Sequence, residues 1–239
     1  MMKIQPYKQR DWKSHPPYTF AAYGSSVKRG PSQKLVPIEQ TLSEITGPLF
    51  SDIKLERGEN DLTRNPDTAK EALGERIIVV GKVIDEDERP VANSLIEIWQ
   101  ANGAGRYRHP VDQHNAPLDP NFIGAGRCVT NEKGEYRFLT IKPGAYPWLN
   151  HTNAWRPAHI HLSLFGPSFV TRLITQFFFP GDPLLEMDPI LSSIPTEGGR
   201  RRLIAAYAHD VTEPEFALGY RFDIVLRGRQ ATPFEQNGR

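Results

Sequence analysis

Two histidines one residue apart, in the segment RPAHIHLSLF, are the first candidates for chemistry in this chain. If residues 158–165 form a β-strand, His159 and His161 share one face, with Cα atoms ~6.5–7 Å apart. The intervening positions then face a core, and they are apolar (Ile160, Leu162, Leu164). Two imidazoles at this spacing can converge on one metal ion. The alternative is a pair of solvent-exposed histidines on a sheet surface.

Two histidines do not complete a metal site, and the sequence offers more than one source for the remaining ligands. The strand carries no Asp or Glu for a site of two histidines and one carboxylate. Cys128 is the only cysteine, so a thiolate cluster within the chain is excluded. The chain has seven histidines, so a histidine-rich copper or zinc site remains open.

Two tyrosines offer a different kind of ligand. Tyr107 lies in GRYRHP, within the long polar segment 103–124, and Tyr146 lies in KPGAYPW. A phenol has a pKa of ~10 in water, but a trivalent cation favours the phenolate. Phenolate is a hard anionic donor that suits Fe(III) better than Zn(II) or Cu(I). The alternative is that Tyr146 is a structural tyrosine after a Pro-Gly turn and Tyr107 anchors a loop.

Composition limits the classes of protein that can present these residues. The 239 residues include 29 Lys and Arg against 28 Asp and Glu, a formal net charge of +1. A duplex nucleic-acid binder needs a larger basic excess, so that class is disfavoured. Hydrophobic residues make up 38% of the chain, enough for a sizeable core. No apolar run approaches the ~20 residues of a membrane helix.

The N-terminal region differs from the rest of the sequence. Residues 1–34 hold seven Lys or Arg and one acid, Asp11, and residues 1–75 are rich in proline. Such a segment is typical of an extended arm that docks on the domain or on a partner subunit. It contains no apolar signal-peptide core, and together with the single cysteine this predicts a cytoplasmic protein.

From residue 75 onward, short segments rich in β-branched and aromatic residues alternate with Gly, Pro, Asn and Asp. They predict strands at residues 76–84, 94–100, 126–130, 135–140, 158–165, 172–179 and 220–227. Only residues 197–208 resemble a helix, with residues 38–44 as a further short candidate. GKVIDEDERPVANSLIEIWQ and TNEKGEYRFLTIKPGAYPW resemble strand pairs of prealbumin-like sandwiches. We therefore expect an all-β fold, an antiparallel β-sandwich domain over residues 76–239, preceded by an arm over residues 1–75.

Several motifs together resemble the intradiol ring-cleavage dioxygenases over nearly the whole chain. They are EIWQANGAGRYRH, LDPNFIGAGRCVT, TIKPGAYPW, WRPAHIH and YRFDIVLRG. The resemblance implies that one non-haem Fe(III) is bound by Tyr107, Tyr146, His159 and His161. Tyr146 and His161 would be axial, with Tyr107 and His159 equatorial.

The same resemblance implies roles for residues around the iron. Arg156 would stabilise developing negative charge, and Tyr146 would accept a catechol proton. The other implied substrate-binding positions are Tyr23, Trp148, Gln176 and Ile190. Leu149 stands where relatives often carry more polar residues, which leaves the charge at the pocket mouth open.

The implied reaction is oxygen-dependent ring opening of 3,4-dihydroxybenzoate to 3-carboxy-cis,cis-muconate, in the beta-ketoadipate pathway of aromatic degradation. A homologous alpha chain is implied as the partner in a heteromer. Three alternatives remain at this point. One is a homodimeric catechol or hydroxyquinol 1,2-dioxygenase with the same ligands, although its relatives usually carry a helical N-terminal domain. The second is a metal-free prealbumin-like binding module, and the third is a copper or zinc enzyme that uses the two histidines of the strand.

Overall fold

The computed structural model describes residues 13, 15–33, 55–68, 70–148, 155–165 and 173–234. Strands dominate these residues. They are β1 (Arg64–Asn65), β2 (Lys70–Glu71), β3 (Arg76–Ile84), β4 (Leu95–Trp99), β5 (Ala125–Val129), β6 (Glu135–Ile141), β7 (Tyr146–Pro147), β8 (Trp155–Arg156), β9 (His159–Phe165), β10 (Leu173–Phe178), β11 (Ala206–Tyr207), β12 (Leu218–Arg221) and β13 (Ile224–Val225). The protein is therefore mostly β, as the sequence predicts, and the predicted strands lie within a few residues of observed ones.

The described helices are short. They are α1 (Gly24–Arg29), α2 (Pro189–Ser192) and α3 (Glu197–Arg201), with 3₁₀ turns at Leu185–Met187 and His209–Val211. Asp188 caps the N-terminus of α2 and Thr196 caps that of α3. Among the described residues, no helix combines the length and the apolar character that crossing a bilayer requires.

Two sheets carry most of the strands. The first has the order β10-β9-β4-β5 and is antiparallel throughout. The second sheet has the order β11-β12-β3-β13, and β6 also belongs to it because it pairs with β3. Here β12 and β13 run parallel to β3, so the prediction of a purely antiparallel arrangement is wrong for these pairs. A parallel pair needs a long crossover, and most of the chain lies between β3 and β12.

The last predicted strand, residues 220–227, is interrupted. The side chain of Asp223 accepts a hydrogen bond from the backbone N–H of Lys82 at 2.8 Å. This side-chain contact takes the place of a backbone ladder bond on β3, so β12 ends and β13 begins on either side of Asp223.

The predicted helix 197–208 is wrong beyond its first turn. Only Glu197–Arg201 is helical, and residues 206–207 form β11. The backbones of Leu203 and Ala205 bond instead to Phe178 at the end of β10. Pairing with a buried strand thus overrides a weak helical pattern that already contains two glycines. The predicted helix at 38–44 falls outside the described residues.

One hydrophobic core cluster draws side chains from both sheets. Ile96, Ile98, Ile160 and Leu162 come from the first sheet, and they are joined by residues of β3 and β6 (Ile77, Val79, Val83, Tyr136, Phe138). The alternation of strand β9 therefore sends Ile160 and Leu162 to the core and leaves His159 and His161 on the opposite face. The core holds the histidine-bearing strand rigidly in place.

Candidate metal centre and substrate pocket

His159 and His161 lie next to each other on β9, both buried, at 2% and 8% exposure. Their ring centroids are 4.8 Å apart and the planes are nearly perpendicular, at 78°. Strand β9 lies between β4 and β10, so its backbone is paired on both edges. The two imidazoles are thus presented from a strand with little freedom to move.

Both predicted tyrosines reach these histidines. The hydroxyl of Tyr107 lies 3.1 Å from Nε2 of His161, and the hydroxyl of Tyr146 lies 3.4 Å from Nε2 of His159. The two phenol rings meet edge to face, with centroids 5.3 Å apart. Two oxygens and two nitrogens, all able to act as ligands, therefore converge in one cluster.

The tautomer of His159 follows from its neighbours. Nδ1 lies 2.7 Å from the carbonyl oxygen of Pro157. A carbonyl can only accept, so Nδ1 carries the proton and Nε2 is the unprotonated nitrogen, which lies near the Tyr146 hydroxyl. Burial lowers the pKa of His159 well below its usual value, and the charge of Arg156 and the neighbouring His161 act in the same direction. A neutral imidazole that is unprotonated at Nε2 is the form that binds a metal. In this structure the same nitrogen accepts a hydrogen bond from Nη1 of Arg156.

Tyr107 is placed by an organised loop rather than by a strand. The side-chain oxygen of Asn102 accepts the backbone N–H groups of Ala104 and Arg106, and its amide nitrogen donates to Pro117. The carboxylate of Asp112 accepts the N–H of Tyr107 itself at 2.8 Å. These bonds within the segment turn a long polar loop into a fixed support for one phenol.

Tyr146 sits in a two-residue strand whose partner is the strand of Arg156. In the β7–β8 pair, Tyr146 stands opposite Arg156. The preceding turn packs tightly on the loop of Tyr107, since Gly144 donates its N–H to Asn102. A Cβ at Gly105 would lie 2.1 Å from the carbonyl oxygen of Ala145. Two glycine backbones therefore let the segments of both tyrosines approach each other.

Arg156 is the buried cation of the site, at 2% exposure. Its Nη1 donates to Nε2 of His159 at 3.0 Å and lies 3.5 Å from the hydroxyl of Tyr146. Nη2 donates to Oε1 of Gln176 at 3.2 Å, and Nε donates to Asp188 at 2.9 Å. The guanidinium thus links the Tyr146–His159 pair to Gln176 and Asp188.

The remaining predicted substrate residues form a second layer. Trp148 lies under the guanidinium of Arg156, 5.3 Å from ring centroid to Cζ. Tyr23 packs against Trp148, with ring centroids 5.2 Å apart. The Tyr23 hydroxyl accepts a hydrogen bond from Arg29. Ile190 is buried and is linked to the cluster through its backbone N–H, which donates to Asp188.

The donor set can be compared with the metal that the sequence suggests. The described part of the chain contains no group of three or more His, Cys, Asp or Glu side chains able to hold an ion. A cation bound here would therefore need tyrosine oxygens, and two phenols with two neutral imidazoles suit a hard trivalent ion. Gln176 adds a buried amide, whose Nε2 has no hydrogen-bond partner in the structure. The residues present fit Fe(III).

Three supporting residues are absent from the sequence prediction. Asp188 binds Arg156, Asn102 shapes the Tyr107 loop, and the Trp99 indole stacks on His161. Asp188 precedes a proline, a helix-start pattern that could have identified a cap. Asn102 bonds within its own segment, and the Asn-Gly pair at residues 102–103 is a turn signal that could have identified it. The stacking of Trp99 carries no local sequence signal, because His161 is distant in the chain.

A mostly β fold that brings two half-buried tyrosines together with two buried histidines and a buried arginine defines the class of protein. Family comparison agrees with it: residues 45–228 match the family model described as Dioxygenase. Residues 9–41 match the model described as Protocatechuate 3,4-dioxygenase beta subunit N terminal. The chain belongs to the intradiol ring-cleavage dioxygenase family.

Comparison with individual relatives shows which members of the family this chain resembles. The chain is 59% identical over 227 residues to the protocatechuate 3,4-dioxygenase beta chain of Burkholderia cepacia, covering 95% of this chain and 96% of that one. It is 31% identical to the protocatechuate 3,4-dioxygenase alpha chain of Pseudomonas putida, over 69% of this chain and 77% of that one. Among solved structures, 3-chlorocatechol 1,2-dioxygenase of Rhodococcus opacus 1CP shares the fold, with a TM-score of 0.54, 23% identity and coverage of 76% and 70%.

Proposed function

We propose that this chain binds one non-haem Fe(III) and opens the ring of protocatechuate (3,4-dihydroxybenzoate) with O₂, giving 3-carboxy-cis,cis-muconate. The observation that carries the proposal is the approach of the Tyr107 and Tyr146 hydroxyls to the Nε2 atoms of His161 and His159, at 3.1 and 3.4 Å. The high identity to a protocatechuate 3,4-dioxygenase beta chain, over nearly the whole length of both chains, supports the choice of substrate.

In this proposal Tyr107, Tyr146, His159 and His161 hold the iron. Bound Fe(III) supplies Lewis acidity, which makes a chelated catecholate ring reactive toward O₂. The chain's own contribution is to keep the imidazoles neutral through burial and to bring two phenols to them. Two anionic oxygens favour the ferric over the ferrous ion.

The residues around the ligands then bind and orient the substrate. Tyr146 takes up a catechol proton at its phenolic oxygen, since a phenolate is a basic group. That oxygen lies 3.5 Å from Nη1 of Arg156. Arg156 stabilises negative charge that develops on the ring oxygens in a buried site, where such a fixed charge is most effective. Tyr23, Trp148, Gln176 and Ile190 line the space around the aromatic ring and its carboxylate.

The larger organisation completes the proposal. The two sheets that share one core form a prealbumin-like sandwich over residues 76–239, and residues 1–75 act as an arm at a subunit interface. The partner is a homologous alpha chain, since proteins of that name are similar to this chain. The cytoplasmic location remains a prediction from the sequence.

The test is to produce the chain together with an alpha chain, measure bound metal, and follow O₂ uptake with protocatechuate and with catechol. We expect about one iron per chain pair and a clear preference for protocatechuate. Preference for catechol would assign the chain to the 1,2-dioxygenase branch. A purified protein that neither retains iron nor consumes O₂ would leave only a metal-free β module.

A further inference from the structure

The carboxylate of Asp188 is fully buried, at 0% exposure, and each of its oxygens has a separate task. Oδ1 accepts the backbone N–H groups of Ile190 and Leu191, both at 2.8 Å, and so caps α2. Oδ2 accepts Nε of Arg156 at 2.9 Å. A single side chain therefore joins the start of a helix to the cation of the candidate site.

The contact with Asp188 helps to decide which nitrogen of Arg156 faces the candidate ligands. With Nε held by Asp188 and Nη2 by Gln176, only Nη1 points to Tyr146 and His159. The Asp188–Arg156 pair is also the buried ion pair that offsets the arginine charge, with side chains 0% and 2% exposed. Without the carboxylate, the buried guanidinium keeps its charge but loses its ion-pair partner and the bond that fixes Nε.

We infer that Asp188 is a positioning residue: it orients Arg156 toward the Tyr146 hydroxyl and over the Trp148 ring, and anchors that orientation to the N-terminus of α2. The inference rests on the proposed function for its catalytic consequence, but the orientation of Arg156 can be measured without iron. The side-chain hydrogen bonds of Asp188 go to Arg156, Ile190 and Leu191, and none goes to a candidate ligand among the described residues. Its effect reaches the site only through the guanidinium.

The test uses Asp188→Asn in the full chain, produced together with the alpha chain. The amide oxygen of Asn still caps α2, but its NH₂ group faces Nε–H of Arg156, so a hydrogen bond becomes a clash of two donors. We expect iron content to stay at the parent level and kcat/KM for protocatechuate to fall on the order of 10-fold or more. We expect no further loss when Asp188→Asn is added to Arg156→Met, because both changes remove the same guanidinium contact.

A second readout needs no metal. In iron-free protein, Asp188→Asn should change the tryptophan fluorescence, and this change should vanish in a Trp148→Phe background, since Arg156 lies over that ring. An unchanged spectrum, or one that changes equally with and without Trp148, would overturn the positioning role. If the chain binds no iron but Asp188 does orient Arg156, the fluorescence change is still seen, although no kcat/KM can be measured. Failure of the proposed function is therefore distinguishable from failure of the positioning role.

Loss of a helix cap is the structural explanation to exclude. Thr196→Ala removes the cap of α3, a helix of similar length whose Thr196 side chain accepts from Gly199. We expect this control to lower stability without altering kcat/KM or the Trp148 fluorescence. Should Asp188→Asn fail to fold, Asp188→Ser keeps a capping oxygen and removes the partner of Arg156. Parent-like kcat/KM and fluorescence in a folded Asp188→Ser protein would equally contradict the inference.

Discussion

The indole of Trp99 lies parallel to the imidazole of His161, with ring centroids 4.9 Å apart and 3° between the planes. The two residues are cross-strand partners on β4 and β9, so the sheet register itself makes the stack. The flat indole surface fixes the plane of His161 and therefore the direction in which its Nε2 atom points. Trp99 is thus a support for a candidate iron ligand.

Replacing that support should loosen the metal. We expect Trp99→Leu to weaken iron binding ~10-fold, since outer residues that orient a ligand have effects of that size, whereas Trp99→Phe keeps a flat ring and most of the affinity. Competition with a chelator measures the difference. The exposed Trp155 provides the control as Trp155→Leu. Equal iron retention in Trp99→Leu and Trp155→Leu would contradict the supporting role.

Removing a candidate histidine ligand should have a larger effect. We expect His161→Ala or His159→Ala to abolish iron retention, because a four-ligand set loses a neutral donor that nothing nearby replaces. Metal analysis of the purified protein measures this. His209→Ala removes an exposed histidine outside the cluster and should leave iron content unchanged. A His161→Ala protein that keeps a full complement of iron would remove His161 from the site.

Phenolate coordination has an optical consequence. Two phenolates on Fe(III) absorb visible light, so we expect the iron-loaded protein to be reddish-brown and Tyr146→Phe to shift and weaken the visible band. We also expect slower turnover, because the proton acceptor next to Arg156 is gone. Tyr207→Phe changes an exposed tyrosine outside the cluster and should leave the spectrum as it is. Identical spectra for parent and Tyr146→Phe would exclude Tyr146 as a ligand.

The approach of the two tyrosine segments depends on Gly105. Its φ is +77° and an added Cβ would meet the carbonyl oxygen of Ala145, so we expect Gly105→Ala to destabilise the fold by about 2–4 kcal/mol and to lower iron retention. Gly181 has the same φ of +77° with nothing within 4 Å of the added Cβ. Thermal unfolding of Gly181→Ala therefore isolates the cost of backbone strain, about 1 kcal/mol. If both variants lost equal stability and kept iron, the close approach would be irrelevant.

Burial raises the pKa of the Cys128 thiol from its ordinary 9.0 to about 12. The thiolate is the reactive form, so we expect no labelling by a thiol reagent in the native protein at pH 8 and complete labelling after unfolding. Because the pKa is higher in the folded state, the buried protonated thiol contributes fully to the free energy of unfolding below pH 9. This contribution is lost as the pH rises toward 12. Cys128→Ala should flatten this part of the stability–pH curve. Rapid native labelling would contradict the buried position.

Much of the architecture was open to prediction from local pattern alone. Alternation with a period of two placed the strands and put His159 and His161 on one face, because a strand sends successive side chains to opposite sides whatever it packs against. The same reasoning failed at residues 197–208, where a weak helical pattern yields to backbone pairing with Phe178. It also could not distinguish parallel from antiparallel partners of β3, since both use the same local geometry.

The sequence by itself determined which side chains could serve as ligands and that two of them share a strand face. Only the tertiary structure decided that Tyr107 lies against His161 and that Asp188 reaches Arg156, across separations of 54 and 32 residues. The physical reason is the range of the forces involved. Strand periodicity arises from the backbone geometry of adjacent residues, whereas a contact between distant segments exists only after the core has set the sheets and loops in position.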